Sequence, residues 1–393
     1  MIHPEIEPTK LSISSSETDL LIDLKSKSGL LDRWLYKDTA QSLAKILRAM
    51  NCYYSNQIEG HSTRLVDIER ALKNDFLDDE KGAVMQRAAL SHISVQEEID
   101  KLHATGNLSN VVSPQFIQSI HEYFYQNVDK SDLRISSENC VVTMTPGAFR
   151  VKGQEVMVGR HLAPKGESVI SLMDYFHNSF SHVKGQSNEL LAVPIAHHRF
   201  AYIHPFLDGN GRVGRLMSHA MMLESGVGAN GLWSISRGLS RGLESKDEYK
   251  SKMALADNPR LGDLDGRGAL SEKRLREFTH WFLKVSIDQI DFMTRLFNPA
   301  EIQKRLSSYV DINELPSESM YLLEAALYHG EIQRGEAPRL LDMKERSARK
   351  VLSQLTTDGI LGSNTPKGAV SLRFDSASAR IIFPRIYADF SYE

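Results

Sequence analysis

Cysteine is nearly missing from this chain: only Cys52 and Cys140 occur among 393 residues. Two thiols so far apart, with no ligand spacing around either, exclude a disulfide framework and a zinc-finger type of module, and they read as reduced, partly buried side chains. Long apolar runs are also lacking, so no segment reaches the ~20 residues of a membrane span. The opening MIHPEIEPTK does not have the basic-then-apolar order of a secretory leader, which makes the cytoplasm the expected location and leaves no membrane partner. Charge of one sign is scarce as well. A net charge of -3 argues against a chain governed throughout by nucleic-acid electrostatics, although one locally basic domain stays compatible with it. There is no GxxxxGK[ST] loop and no glycine pattern attached to a βαβ unit, which leaves the strand-based nucleotide folds as poor explanations. Internal repeats and low-complexity tracts are absent too.

What is present is the balance of a folded protein, 41% hydrophobic and 25% charged, and the patterning is overwhelmingly helical. Apolar residues recur at three- and four-residue intervals through 30–60, 67–77 and 83–105. Pro114 opens a further helix, since a first-turn proline forfeits no intrahelical hydrogen bond. Helices are also expected over 167–183, 188–203, 213–226 and 271–297, the second of them almost wholly apolar and suited to the centre of a bundle. Between them, TPGAFRVKGQEVMVGRH reads as a short hairpin, with FRV and EVMVG turning at Lys152 and Gly153. From about Pro299, several helices followed by the strand-like AVSLRF and RIIFP match the order of a winged helix-turn-helix unit. The expected fold class is mainly α. The expected divisions are an N-terminal helical region over 1–108, a catalytic region over 109–298 and a winged-helix-like region over 299–393.

One stretch breaks the helical texture: HPFLDGNGRVGR, residues 204–215. Pro205 disfavours helical geometry at His204, so the preceding helix should end there and present the imidazole. Gly209 and Gly211 let consecutive amides bend inward ahead of the next helix, forming an anion cradle at its N-terminus. Asn210 can orient a phosphate oxygen or shape the loop. Arg212 and Arg215, three apart, put two guanidinium forks on one face, and Asp208 is a hard oxygen ligand suited to Mg²⁺. His204 titrates near neutrality and can take a proton from a hydroxyl. The set implies phosphoryl or nucleotidyl transfer to a hydroxyl without saying which phosphorus is attacked.

His204, Pro205, Phe206, Asp208, Gly209, Asn210, Gly211, Arg212 and Arg215 resemble the complete HPFx(D/E)GNGRxxR signature of the Fic-domain family. The resemblance implies a helical Fic fold and AMPylation, the transfer of AMP from ATP to a Ser, Thr or Tyr hydroxyl of a protein substrate, with self-modification included. It implies that His204 is the general base and Asp208 the Mg²⁺ ligand. Gly209, Asn210 and Gly211 would cradle the α and β phosphates, Arg212 neutralise the pyrophosphate, Arg215 steady the terminal phosphate, and Pro205 and Phe206 anchor the loop.

Upstream, SNQIEG at 55–60 reads in isolation as a polar helix face and a glycine stop. Beside the signature, Ser55, Glu59 and Gly60 are similar to the family's (S/T)xxxE(G/N) inhibitory helix, placed before the core. Glu59 would then occupy Arg215, with Ser55 supporting the helix or approaching the same phosphate region. In some family members this glutamate assists removal of AMP, so deAMPylation is the alternative direction. The hairpin resembles the family's target-positioning flap, whose edge over Phe149, Arg150, Val151, Val156 and Val158 would accept a target strand. Arg150 and His161 are further contact candidates, and Tyr249 is a candidate adenine-pocket aromatic or a packing residue. His197 and His198 diverge around one helix and are expected in core or capping roles. The segment 331–373 carries eight Lys/Arg against five Asp/Glu. Arg346, Arg349 and Lys350 on its second helix therefore suit DNA phosphates or a protein partner. A DNA-binding regulator with a nucleotide-sensing Fic-like core is the competing functional class, and homodimerisation is compatible with either.

Overall fold

The computed structural model describes residues 3–387 apart from 62, 127, 129–132 and 138–139. The chain divides into two compact units. The first comprises Met1–Lys25, Arg48–Val227 and Ser234–Gln289; the second comprises Ser26–Leu47, Gly228–Trp233 and Ile290–Glu393. Among the described residues no helix is long and apolar enough to cross a membrane.

Helices dominate the chain up to residue 296: α1 (Ser15–Asp32), α2 (Lys37–Ile58), α3 (Leu65–Ala71), α4 (Glu80–Ala104), α5 (Pro114–Tyr125), α6 (Val169–Phe180), α7 (Gln186–Ile203), α8 (Asn210–Glu224), α9 (Ile235–Arg241), α10 (Glu248–Ala256) and α11 (Glu272–Leu296). Their boundaries follow local chemistry. Asp79 caps α4 by accepting from the Gly82 amide at 2.7 Å. Ser113 caps α5 by accepting from Phe116, with Pro114 in the first turn as its sequence position requires. α5 buries Ile117, Ile120, His121 and Phe124, the i, i+3, i+4, i+7 stripe of a core-facing helix.

α7 is buried around nearly its whole circumference from Leu190 to Phe200, and it packs most extensively on α8. Pro194 sits inside α7 rather than before it. The missing amide costs one backbone bond, and burial of the surrounding apolar side chains offsets it.

The strands differ from the sequence expectation in three places. An antiparallel pair, β1 (Arg134–Ser137) with β2 (Cys140–Thr143), was not anticipated. The hairpin expected to turn at Lys152 and Gly153 instead pairs β3 (Met157–Val158) with β4 (His161–Leu162). The reason is Arg150: its side chain is buried and committed to backbone carbonyls, which holds 149–151 out of a strand. In the second unit, α12 (Pro299–Ile312), α13 (Ser319–His329), α14 (Ala337–Leu340) and α15 (Glu345–Thr357) precede the hairpin β5 (Leu361–Gly362)–β6 (Ser371–Leu372). Ile332 bridges Val370 beside that hairpin. RIIFP, expected as a strand, falls in α16 (Ser376–Ile382) and α17 (Pro384–Tyr387). Asp375 caps α16 through the Ser378 amide, and Ala379 and Ile382 face the core at helical spacing.

Candidate active site

α7 stops at Ile203, and His204 takes a left-handed conformation, φ 50°. That geometry is strained for a residue with a Cβ. The following proline, which excludes right-handed helix, and the closure of the loop beyond it impose the geometry. The Arg150 guanidinium donates to the carbonyls of Ile203 (2.9 Å), His204 (2.6 Å) and Pro164 (2.6 Å), and its amide donates to the Pro205 carbonyl at 2.8 Å. Arg150 thus satisfies the open carbonyl end of α7 and ties the hairpin base to the loop. This is a structural role at the junction of hairpin and loop. Nδ1–H of His204 points to the Ala201 carbonyl at 3.4 Å, which leaves Nε2 with its lone pair. Burial lowers the imidazole to about 4, so at neutral pH it is an unprotonated base.

The loop closes through Asn210. Its Oδ1 accepts from the Phe206 amide and its Nδ2 donates to the Phe206 carbonyl, both at 2.8 Å. The side chain is therefore spent on shaping the loop, and what α8 offers an anion at this point is its first-turn backbone amides. Phe206 is fully buried, stacked on His121 with centroids 3.9 Å apart and tilted against Phe149 at 5.1 Å. Gly209 has φ 78°, and a Cβ there would lie 2.7 Å from the Tyr125 hydroxyl. A Cβ at Gly211 would lie 2.1 Å from a Glu59 oxygen. Gly209 is required by its left-handed turn and by the close Tyr125 hydroxyl, whereas Gly211, already inside α8, leaves room for the Glu59 carboxylate.

Arg212 is buried with its Nη2 donating to Tyr125 Oη (2.6 Å) and Asp208 Oδ2 (3.1 Å), and its guanidinium lies 4.5 Å over the Phe124 ring. Its Nε has no hydrogen-bond partner among the described residues. Burial would raise the Asp208 carboxyl, but Arg212 and the Tyr125 hydroxyl outweigh it and hold it below its ordinary value. Asp208 is thus an ionised, half-exposed oxygen donor, which fits a hard divalent cation of the Mg²⁺ kind.

Arg215 is gripped from α2. Its Nε donates to Ser55 Oγ at 2.9 Å, and its Nη2 donates to the Ser55 carbonyl at 3.0 Å and to Glu59 Oε1 at 2.6 Å. Burial would raise Glu59, but the charge and hydrogen bond of Arg215 hold it below its ordinary value. Gly60 follows with φ 81°, ending α2 in a conformation that favours glycine.

The other candidates are placed as follows. His197 donates to Ser218 Oγ and accepts from Tyr249 Oη, both at 2.8 Å. His198 donates to the Met253 carbonyl and accepts from Arg199. Tyr249 is buried by this pairing and also lines a cavity of about 170 Å³ with Gln57, Ile58, Leu239, Ser240, Lys246, Asp247 and Lys250. His161 donates to the Tyr202 carbonyl at 2.8 Å. The hairpin exposes Val151, Met157, Val158 and Leu162, and the Val156 carbonyl accepts from Ala163. The sequence reading missed His121 and Tyr125. His121 Nε2–H donates to the Asp208 carbonyl and its Nδ1 accepts from the Gly147 amide. The available signal was their i, i+4 spacing on the same face of α5 as Phe124.

Residues 111–222 match the Fic/DOC family. A protein adenylyltransferase Fic of Drosophila mojavensis is 36% identical over 83 residues, 20% of this chain and 16% of that protein. Its namesake in Nematostella vectensis is 26% identical over 178 residues, 44% of this chain and 37% of that protein. The chain thus spans well under half the length of the curated relatives it matches. In fold it is similar to a Fic family protein from Desulfovibrio desulfuricans G20, with TM-score 0.55 and 16% identity over 93% of this chain and 98% of that one. A Fic domain containing signaling protein from Bacteroides thetaiotaomicron gives TM-score 0.51 and 16% identity over 70% of this chain and 95% of that one.

Proposed function

We propose that this chain, which carries a Fic domain over residues 111–222, transfers AMP from ATP to a Ser, Thr or Tyr hydroxyl of a protein. The observation that carries the reading is the convergence of a neutral His204, the α8 N-terminus, Asp208 and two arginines on one loop. The hydroxyl oxygen attacks the α-phosphorus as its proton passes to His204 Nε2. The bond from the α-phosphorus to the bridging oxygen breaks, and pyrophosphate leaves. The α8 amides and Arg212 offset charge on the phosphates, and Arg215 holds the terminal one. Asp208 would hold Mg²⁺, which when bound neutralises phosphate charge. The exposed hairpin edge would align the target segment by strand addition, and the cavity beside Tyr249 would take the adenine.

In the described state Arg215 is occupied by Ser55 and Glu59, which supports autoinhibition by α2. The test is incubation with Mg²⁺ and ATP labelled at the α or the γ position, comparing native protein, Glu59→Gly and His204→Ala. Transfer of α-label to protein, raised at least tenfold by E59G and abolished by H204A, is the expected result. Transfer of γ-label would make the protein a kinase instead. The ionised Glu59 carboxylate beside the cradle also favours a second direction, water-dependent removal of AMP. Release of AMP from pre-modified protein that requires Glu59 would identify it.

For the second unit, the helix order before the β5–β6 hairpin supports a winged-helix reading. The exposed Lys344, Arg346 and Lys350 support DNA as its partner.

A further inference from the structure

Tyr125 is a buried phenol at the centre of the charged loop, and nothing in the proposed reaction has so far used it. Its Oη accepts from Arg212 Nη2 and donates to Asp208 Oδ2, both at 2.6 Å. The direction of this chain is fixed, because a guanidinium can only donate and an ionised carboxylate can only accept. The hydroxyl proton must therefore lie toward Asp208. The hydroxyl is also lodged against the loop backbone, since any Cβ at Gly209 would come within 2.7 Å of it. One turn earlier on α5, His121 holds the Asp208 carbonyl and stacks on Phe206.

We propose that Tyr125 is a positioning residue for the cation-bound triphosphate, holding the Asp208 carboxylate in the rotamer that faces the cation and keeping Arg212 beside it. The proposal rests on the reading of Asp208 as the cation ligand. With Oδ2 engaged by the phenol, the Asp208 carboxylate is tied to α5 and would keep its remaining lone pairs for a cation. Without the hydroxyl, the existing bond from Arg212 Nη2 to Oδ2, 3.1 Å long, loses its competitor and is free to shorten. The tightened pair competes with the cation for Asp208. Outer partners that orient a metal-binding carboxylate commonly change metal affinity by 10–100-fold when removed.

The experiment is calorimetric titration of the full chain with ATP, once with Mg²⁺ and once with EDTA. A Glu59→Gly background keeps that carboxylate away from the bound phosphates. The variants are Tyr125→Phe, Asp208→Ala and the double substitution. Y125F keeps the ring packed on Phe124 and His121, and thermal unfolding checks that it folds. The expected result is that D208A abolishes the tightening of ATP by Mg²⁺. Y125F should reduce that tightening roughly tenfold while leaving affinity in EDTA within about twofold, and it should cost nothing further once Asp208 is gone. Full Mg²⁺-dependent tightening in Y125F, alongside its loss in D208A, would overturn the role of Tyr125 and leave Asp208 standing. Equal losses for Y125F in Mg²⁺ and EDTA, or losses that add to those of D208A, would reduce Tyr125 to a packing residue. Tightening that survives D208A would remove Asp208 as the ligand and the proposal with it.

Discussion

His204 and Asn210 are both polar, both nearly enclosed and six positions apart, yet the structure gives them opposite tasks. For His204, burial that lowers the imidazole to about 4 from an ordinary 6.5 means the base form prevails from mild acid upward. Transfer should then be independent of this group between pH 6 and 8 and fall only as pH drops through about 4. Glu59 is also held below its ordinary 4.5 by Arg215, so its grip on Arg215 persists above 4.5 and is lost only at a lower pH. The profile should therefore be measured in E59G, and an acid limb near 6.5 would contradict the buried base. Asn210 binds the backbone of Phe206 from both ends of its amide. Asn210→Ala would strand a buried donor and acceptor and should cost about 2–4 kcal/mol, read by denaturant unfolding, with ATP affinity falling as the loop loosens. The types in the motif were legible in sequence, as was the pairing of Glu59 with Arg215. The division between groups left open toward an anion and groups that shape the loop was not, because it depends on which atoms already have partners.

At the scale of single elements, α1 explains why part of the helical pattern was hard to read. Its buried positions are Glu17, Leu21, Leu24, Ser28 and Leu31, a regular helical seam in which two of five members are polar. Apolar periodicity alone therefore left residues 1–30 without an assigned element. Glu17 sits in that seam because Ser14, Arg276 and His280 bind it. Burial pushes the carboxyl up, but these hydrogen bonds outweigh it and bring it down to about 2. Its stabilising contribution is thus complete above about 4.5 and disappears as pH falls through about 2. Glu17→Gln should cost about 1–3 kcal/mol at pH 7, and the gap to native protein should narrow in acid unfolding between those values. A constant gap would mean that the loss is one of shape rather than charge. The shifted hairpin has a similar origin: Arg150 looked like part of a polar strand edge, and only the carbonyl end of α7 beside it reveals a capping residue. RIIFP is equally instructive, since four apolar residues flanked by Arg and Pro satisfy strand statistics until Asp375 supplies a helix cap.

Across the whole molecule, a net charge of -3 conceals a local excess of positive charge on the second unit. α15 buries Ala348, Val351, Leu352 and Leu355, which turns Arg346, Arg349 and Lys350 outward with Lys344 just before them. Arg349 is committed to Glu345, whereas Lys344, Arg346 and Lys350 have no carboxylate partner among the described residues. Three such cations set the size of the effect to expect if this face meets duplex DNA. Each neutralised phosphate contributes close to one counterion, so log affinity should fall with log salt at a slope of about -3. Fluorescence anisotropy with a labelled duplex between 50 and 200 mM salt would read the slope, and Arg346→Ala with Lys350→Ala should bring it to about -1. Neither substitution lies in the 204–215 loop, so the proposed AMP transfer to an added protein should be unchanged in the double variant. Absence of binding at the lowest salt would leave a protein partner as the reading of this face. A slope unaltered by the two substitutions would place the DNA contact elsewhere on the chain.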